Sequence, residues 1–269
     1  MEKLETADVK KTLLHILLSF QKYCDQHELQ FYLSAGTLLG AIRHQGFIPW
    51  DDDIDICIAR PDYDKLLDLA KKNNNFGGHY KIECFFLGNS SYPFVKIIDT
   101  NTKIDPTFMD ENETSSLFVD VFPVDALPTN ETKINKIYKK AAMYRKILML
   151  NSAKKGRGKT KLKALVKPLF IPLAKLIGVR WCNEQLDNLS RTYDFTHGKK
   201  VGSIMWGLYG PKEVMSHDKF TKSVDVTFEG HSFKTMSCWR EYLTNMYGNY
   251  MEFPPKKDRR IHLLETWKK

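Results

Sequence analysis

The chain has 269 residues, of which 42% are apolar and 27% charged. That is the make-up of a folded globular protein, and it excludes a disordered or fibrous chain. The formal net charge of +9 is local: Thr132–Lys175 carries fourteen Lys or Arg and no Asp or Glu, a patch for an anionic partner on an otherwise slightly acidic chain.

Val9, Leu13, Leu17, Phe20 and Cys24 recur at helical spacing and predict an amphipathic helix over Asp8–Gln26. With Glu2, Glu5 and Asp8 before it and His15 inside it, this stretch does not have the form of a secretory signal. A short strand is expected at Phe31–Ser34, then a short helix over Gly36–Arg43. Asp53–Ala59 alternates as a strand does. Pro61 suits the first turn of a helix to about Lys72, and Asn73–Gly78 is a turn cluster. Strands are expected at Tyr80–Phe86, Phe94–Asp99 and Ser116–Phe122, with Pro123 and Pro128 closing this half.

The second half reads as helix over Glu131–Leu150, a loop at Lys154–Lys161, and a Lys-studded aliphatic stretch, Leu162–Ile177, broken by Pro168 and Pro172. Helix returns at Trp181–Tyr193. Val224–Phe228 and Ser232–Met236 suit a hairpin, and Trp239–Tyr247 a last helix. The expected organisation is α+β: a core over 1–130 with a mixed sheet flanked by helices, and a mainly helical basic extension over 131–269 that completes a substrate cleft. No stretch has the length of a membrane span. Five scattered cysteines (Cys24, Cys57, Cys84, Cys182, Cys238) outline neither a metal site nor a disulfide framework. A cytoplasmic setting with reduced thiols is expected.

Along the strand at Asp53–Ala59, Ile54, Ile56 and Ile58 share one face, and Asp53 and Asp55 the other, about 7 Å apart. Two carboxylates so close repel each other and raise a pKa. A divalent cation removes that cost, and hard oxygen donors suit Mg²⁺ or Mn²⁺. Asp120 is a single carboxylate in the apolar run Leu117–Phe122. It completes a three-carboxylate site if its strand lies beside the first; taken alone, it serves equally well to bond a loop backbone. Such a set holds metal against phosphate and offers a base to an attacking hydroxyl. Asp51 and Asp52 read as turn residues, and Asp125 as a turn cap. Upstream, Ser34-Ala35-Gly36-Thr37-Leu38-Leu39-Gly40 joins strand to helix. There Gly36 lets backbone approach a ligand, Thr37 adds a hydroxyl, and Arg43 lies within reach of a phosphate or Asp53.

SAGTLLGAIRHQGFIPWDDDIDI (Ser34–Ile56) closely resembles the signature of the LicD family of phosphocholine transferases, a branch of the nucleotidyltransferase-fold superfamily related to fukutin-type ribitol-phosphate transferases. Tyr92-Pro93-Phe94-Val95-Lys96, Phe118–Asp125, Tyr247–Met251, Pro254-Pro255, Arg260 and His262 extend the resemblance along nearly the whole chain. It implies transfer of phosphocholine from CDP-choline to a sugar hydroxyl, such as that of N-acetylgalactosamine in a lipid-linked teichoic-acid or other surface-glycan precursor, releasing CMP. The implied catalytic and metal-holding residues are Asp53, Asp55 and Asp120. Gly36, Thr37, Arg43, Trp50, Lys96, Arg260 and His262 are the implied substrate contacts. Aromatic faces bind quaternary ammonium; Trp50, Trp206, Tyr209, Tyr247 and Tyr250 are the candidates. A nucleotidyltransferase acting on a small molecule and a transferase of another CDP-alcohol such as CDP-ribitol use the same site chemistry. Nothing in the basic stretch resembles a nucleic-acid motif. Its lysines and aliphatics instead suit peripheral contact with the anionic inner face of a membrane.

Overall fold

The computed structural model describes residues 1–104, 115–151, 170–256, 259 and 265–269. In chain order the elements are β1 Glu2–Lys3, α1 Thr6–Gln26, β2 Phe31–Leu33, α2 Ala35–His44, β3 Asp55–Ala59, α3 Arg60–Lys72, β4 Asn75–Phe76, β5 Tyr80–Glu83, β6 Val95–Asp99, β7 Thr102–Ile104, β8 Leu117–Leu127 and α4 Glu131–Asn151. After residues 170–177, which are helical, come α5 Val179–Ser190, β9 Lys200–Gly202, β10 Met215–Ser216, α6 His217–Phe220, β11 Ser223–Phe228, β12 His231–Met236, α7 Trp239–Tyr247 and β13 Thr266–Lys268. The fold is α+β, as the sequence pattern predicts.

The main sheet is mixed and runs β10-β9-β8-β6-β5-β4, with β3 beside β8 and β2 beside β3. β3 pairs parallel with β8, and every other ladder in it is antiparallel. β9 and β10 therefore extend the sheet from beyond residue 131. On α1, Val9, Leu13, Ile16, Leu17, Phe20 and Cys24 are buried, the face expected from their spacing. Each large apolar side chain so buried contributes about 1.5–3 kcal/mol. A second apolar cluster joins Ile134, Tyr138 and Leu148 of α4 to Leu186 of α5, Phe94 and Leu127.

β8 does not end before Pro123 but runs on to Leu127. Pro123 lacks an amide hydrogen, yet it falls after the stretch that β6 pairs, Leu117–Val121, and before the one that β9 pairs, Asp125–Leu127. Neither antiparallel ladder needs its missing donor. Asp125 consequently lies within the strand and caps no turn. It is 1% exposed, and the Arg60 guanidinium donates to its Oδ1 at 2.5 Å. Burial pushes the Asp125 carboxyl up, and Arg60 opposes that rise. β3 begins at Asp55 rather than Asp53, and β5 stops at Glu83 before a 3₁₀ turn, Phe85–Leu87. The loop expected at Lys154–Lys161 and the first half of Leu162–Ile177 lie outside the described residues.

The Arg60–Asp125 pair reaches Asp187 of α5 and so ties α3, β8 and α5 together. Removing one partner of a buried pair strands the other charge, at a cost of about 3–5 kcal/mol. Asp125→Ala is expected to lower stability by that amount. Asp68→Ala removes the exposed partner of Lys71 and should cost no more than about 1 kcal/mol. Urea midpoints of the two variants check the contrast.

Candidate active site

The parallel ladder between β3 and β8 sets Asp55 directly across from Asp120. On the other side of β8, Lys96 of β6 is the register partner of Asp120. One line of the sheet therefore reads Asp55, Asp120, Lys96. The Lys96 ammonium is 2.6 Å from Asp120 Oδ1. It is buried within an aromatic box, 3.4 Å from the Phe118 ring centroid and 4.4 Å from that of Tyr92. Burial, then the carboxylates of Asp53, Asp120 and Asp51, push the Asp55 carboxyl well above its usual range; Lys96 opposes them. Among the described residues no three His, Cys, Asp or Glu side chains form a ready metal-holding group.

Asp53 and Asp55 open into a cleft of about 760 Å³. Ala35, Gly36, Leu39 and Arg43 of α2 line one side of it, with Ile48, Trp50 and Asp51 beside them. Leu208, Tyr209, Tyr247, Asn249, Tyr250, Glu252, Phe253, Pro254 and Pro255 form the facing wall. Gly36 is small for a reason: a Cβ there would stand 3.0 Å from Asp51 Oδ2. Ala35 before it takes a left-handed φ of 46°, a conformation disfavoured for a residue with a Cβ. Thr37 does not line the cleft. Its hydroxyl accepts the Asp55 amide hydrogen at 2.8 Å and so fixes the start of the acidic strand to α2.

Arg43 lines the cleft, and its Nη1 donates to the carbonyls of Tyr250 (2.8 Å) and Glu252 (3.0 Å), tying α2 to the far wall. Trp50 receives the Arg259 guanidinium at 4.3 Å and that of Arg43 at 6.0 Å. Tyr209 and Tyr247 stand edge-on at 5.2 Å. Trp206 lies away from the cleft, packed on Phe94 at 4.8 Å in the second core cluster. Arg260 and His262 lie outside the described residues. Asp51 forms the expected turn, its amide donating to Ile48 at 2.9 Å, and also lines the cleft. Leu208, Glu252 and Phe253 carry no signal in the sequence; only the approach of their loops to α2 brings them to the cleft.

Residues 28–155 match the family described as LicD/FKTN/FKRP, nucleotidyltransferase domain. Over 269 residues, 98% of each chain, the sequence is 31% identical to the lipopolysaccharide cholinephosphotransferase LicD of Haemophilus influenzae. Shorter stretches match uncharacterised proteins of Rickettsia prowazekii (49% over 64 residues, 22% of this chain and 24% of that one) and Rickettsia typhi (49% over 49 residues, 16% of each). The chain belongs to the LicD family.

Lys96→Met removes the ammonium that sits 2.6 Å from Asp120 Oδ1 and leaves a carboxylate in a crowd of carboxylates. A loss of about 3 kcal/mol is expected. Adding Asp120→Asn to that variant should restore much of it, and a double-mutant cycle in urea measures the coupling.

Proposed function

We propose that this protein transfers phosphocholine from CDP-choline to a sugar hydroxyl of a surface-glycan precursor and releases CMP. The observation that carries the reading is one cleft with carboxylates at its floor, Asp51, Asp53 and Asp55, and aromatic rings on its wall, Tyr209, Tyr247, Tyr250 and Phe253. The likeness to the Haemophilus cholinephosphotransferase supports it. Rings attract a quaternary ammonium by their electron-rich faces, and the perpendicular pair Tyr209–Tyr247 offers a corner for one. The family's N-acetylgalactosamine of a teichoic-acid unit or a lipopolysaccharide sugar serves as acceptor.

The acceptor oxygen attacks the phosphorus of the phosphocholine half. The bond from that phosphorus to the CMP oxygen breaks, CMP departs, and a carboxylate of the set takes the hydroxyl proton. A divalent cation suits the donor set, because burial and the crowding of Asp53, Asp120 and Asp51 already disfavour the charge of Asp55. Asp53, Asp55 and Asp120 would hold Mg²⁺ or Mn²⁺, which would neutralise charge on the phosphates. Lys96 keeps one Asp120 oxygen in place, Gly36 leaves room for the donor beside Asp51, and Arg43 holds the far wall against α2.

With CDP-choline labelled in both halves, Mg²⁺ and acceptor, the choline half is expected in the acceptor and the cytidine half in free CMP. Asp53→Asn, Asp55→Asn and Asp120→Asn should each lower turnover at least about a thousandfold, the equivalent of several kcal/mol, with unchanged circular dichroism. Cytidylyl transfer instead would make the protein a small-molecule nucleotidyltransferase, and transfer from CDP-ribitol alone would change the donor.

We further propose that the basic extension meets the anionic inner face of the membrane that carries the acceptor. No helix among the described residues is long and apolar enough to cross a membrane. Lys133, Lys136, Lys139, Lys140 and Lys146 are exposed on α4, beside exposed Met143 and Met149. Phe170, Leu173, Leu176 and Trp181 are exposed at 52%, 56%, 84% and 40%. Lysines near such a surface contribute about 1 kcal/mol each, and the apolar side chains enter the head-group boundary. The protein is expected to sediment with anionic vesicles at low salt, and to stay in solution with neutral vesicles or at high salt. Failure to sediment at low salt would overturn the docking.

A further inference from the structure

Between the end of β9 at Gly202 and the 3₁₀ turn Gly210–Glu213, the chain has no helix or strand. This segment carries Leu208 and Tyr209 into the cleft, where they are 67% and 44% exposed. Its backbone groups need partners from elsewhere. Two buried side chains supply them. Arg145 of α4, 5% exposed, donates from Nη1 to the carbonyls of Ile204 (2.8 Å) and Met205 (3.4 Å), and from Nη2 to that of Gly207 (2.8 Å). Glu213, 7% exposed, accepts the Tyr209 amide hydrogen at 2.7 Å.

The glycines of the segment let α4 come this close. A Cβ at Gly202 would strike the Tyr138 hydroxyl, and one at Gly207 the Ser203 carbonyl and the Tyr138 ring. Arg145 also spends its buried charge on carbonyls, with no carboxylate within ion-pair distance among the described residues. Guanidinium geometry suits such a fan of acceptors, which a lysine ammonium does not reproduce.

We propose that Arg145 and Glu213 are positioning residues that hold Leu208 and Tyr209 against the cleft and thereby set the affinity for the donor. The proposal rests on the reading of the cleft as the transfer site. Arg145 holds the carbonyl side of the segment and Glu213 its last amide, so the loosening of either frees the same wall. Tyr209 then loses its perpendicular contact with Tyr247.

The clamp is sensitive to pH. Glu213 faces Tyr138 and Arg145 from α4, Cys57 from β3 and Tyr242 from α7. Burial pushes its carboxyl up to about 8, with the Tyr209 amide and Arg145 opposing. Once ionised, it offers Arg145 a carboxylate in competition with the three carbonyls.

Two measurements on the full-length enzyme test this. Hydrogen exchange read by mass spectrometry should show residues 203–210 exchanging about tenfold faster in Arg145→Lys, with the core strands unchanged. Steady-state kinetics with CDP-choline and Mg²⁺ should show the donor KM raised about tenfold in Arg145→Lys, with kcat within about twofold. The wild-type KM should rise above about pH 8 and stay flat in the near-isosteric Glu213→Gln. Unchanged exchange in Arg145→Lys, a loss confined to kcat, or identical pH profiles for wild type and Glu213→Gln would each overturn the proposal. If the wild type fails to turn over CDP-choline at all, the functional reading falls, and the positioning claim stands or falls on the exchange rates alone.

Discussion

Everything at the floor of the cleft depends on the parallel pairing of β3 with β8, which sets two carboxylates side by side. Asp55 and Asp120 are opposite one another in the register, and Asp53 enters the same field from the residue before Ile54. Such an arrangement is costly in an empty site, because each negative charge disfavours the next. The protein offsets part of the cost with Lys96, a cation sealed among aromatic rings on the far side of Asp120. Asp53 and Asp55 face the cleft.

The surrounding structure secures that line of charges. Thr37 ties α2 to the Asp55 amide, and the Glu229 amide at the hairpin tip donates to Gln45 at 2.9 Å just before the loop into the acidic strand. Arg43 spans from α2 to Tyr250 and Glu252. The two halves of the chain are thus stitched across the cleft by hydrogen bonds to backbone, which fix position without consuming the carboxylates. Arg145 likewise bonds backbone, at the carbonyls of Ile204 and Gly207 in the segment that carries Leu208 and Tyr209.

How far the sequence could be read depended on the range of the interaction. α1 was legible because its apolar stripe is a property of one segment. The carboxylates stood out for the same reason, Asp53 and Asp55 by their alternation with Ile54 and Ile56, and Asp120 by its isolation among apolar neighbours. Asp125 reads as a turn cap in the sequence because its partner Arg60 is 65 positions away, and no local pattern announces a pair so distant. Pro123 suggested an end to the strand, since its tolerance there depends on where β6 and β9 stop. Thr37 reads as a hydroxyl offered to a ligand, and its part in fixing the Asp55 amide shows only once the acidic strand is folded beside α2. Phe253 and Leu208 look like ordinary exposed apolar residues until their loops are folded against α2.

The sequence by itself determined the α+β class, the family and the three acidic positions. The class and the acidic positions follow from residue types at short spacing, where side-chain direction repeats every two residues in a strand and about every four in a helix; the family follows from the resemblance of Ser34–Ile56 to its signature. Only the tertiary structure decided that β8 lies between β3 and β6, that Lys96 neutralises Asp120, and that the segment after β9 closes the cleft. The physical reason is that strand pairing is made by backbone groups common to every residue. Which strand meets which, and in what register, is therefore settled by the packing of the whole chain.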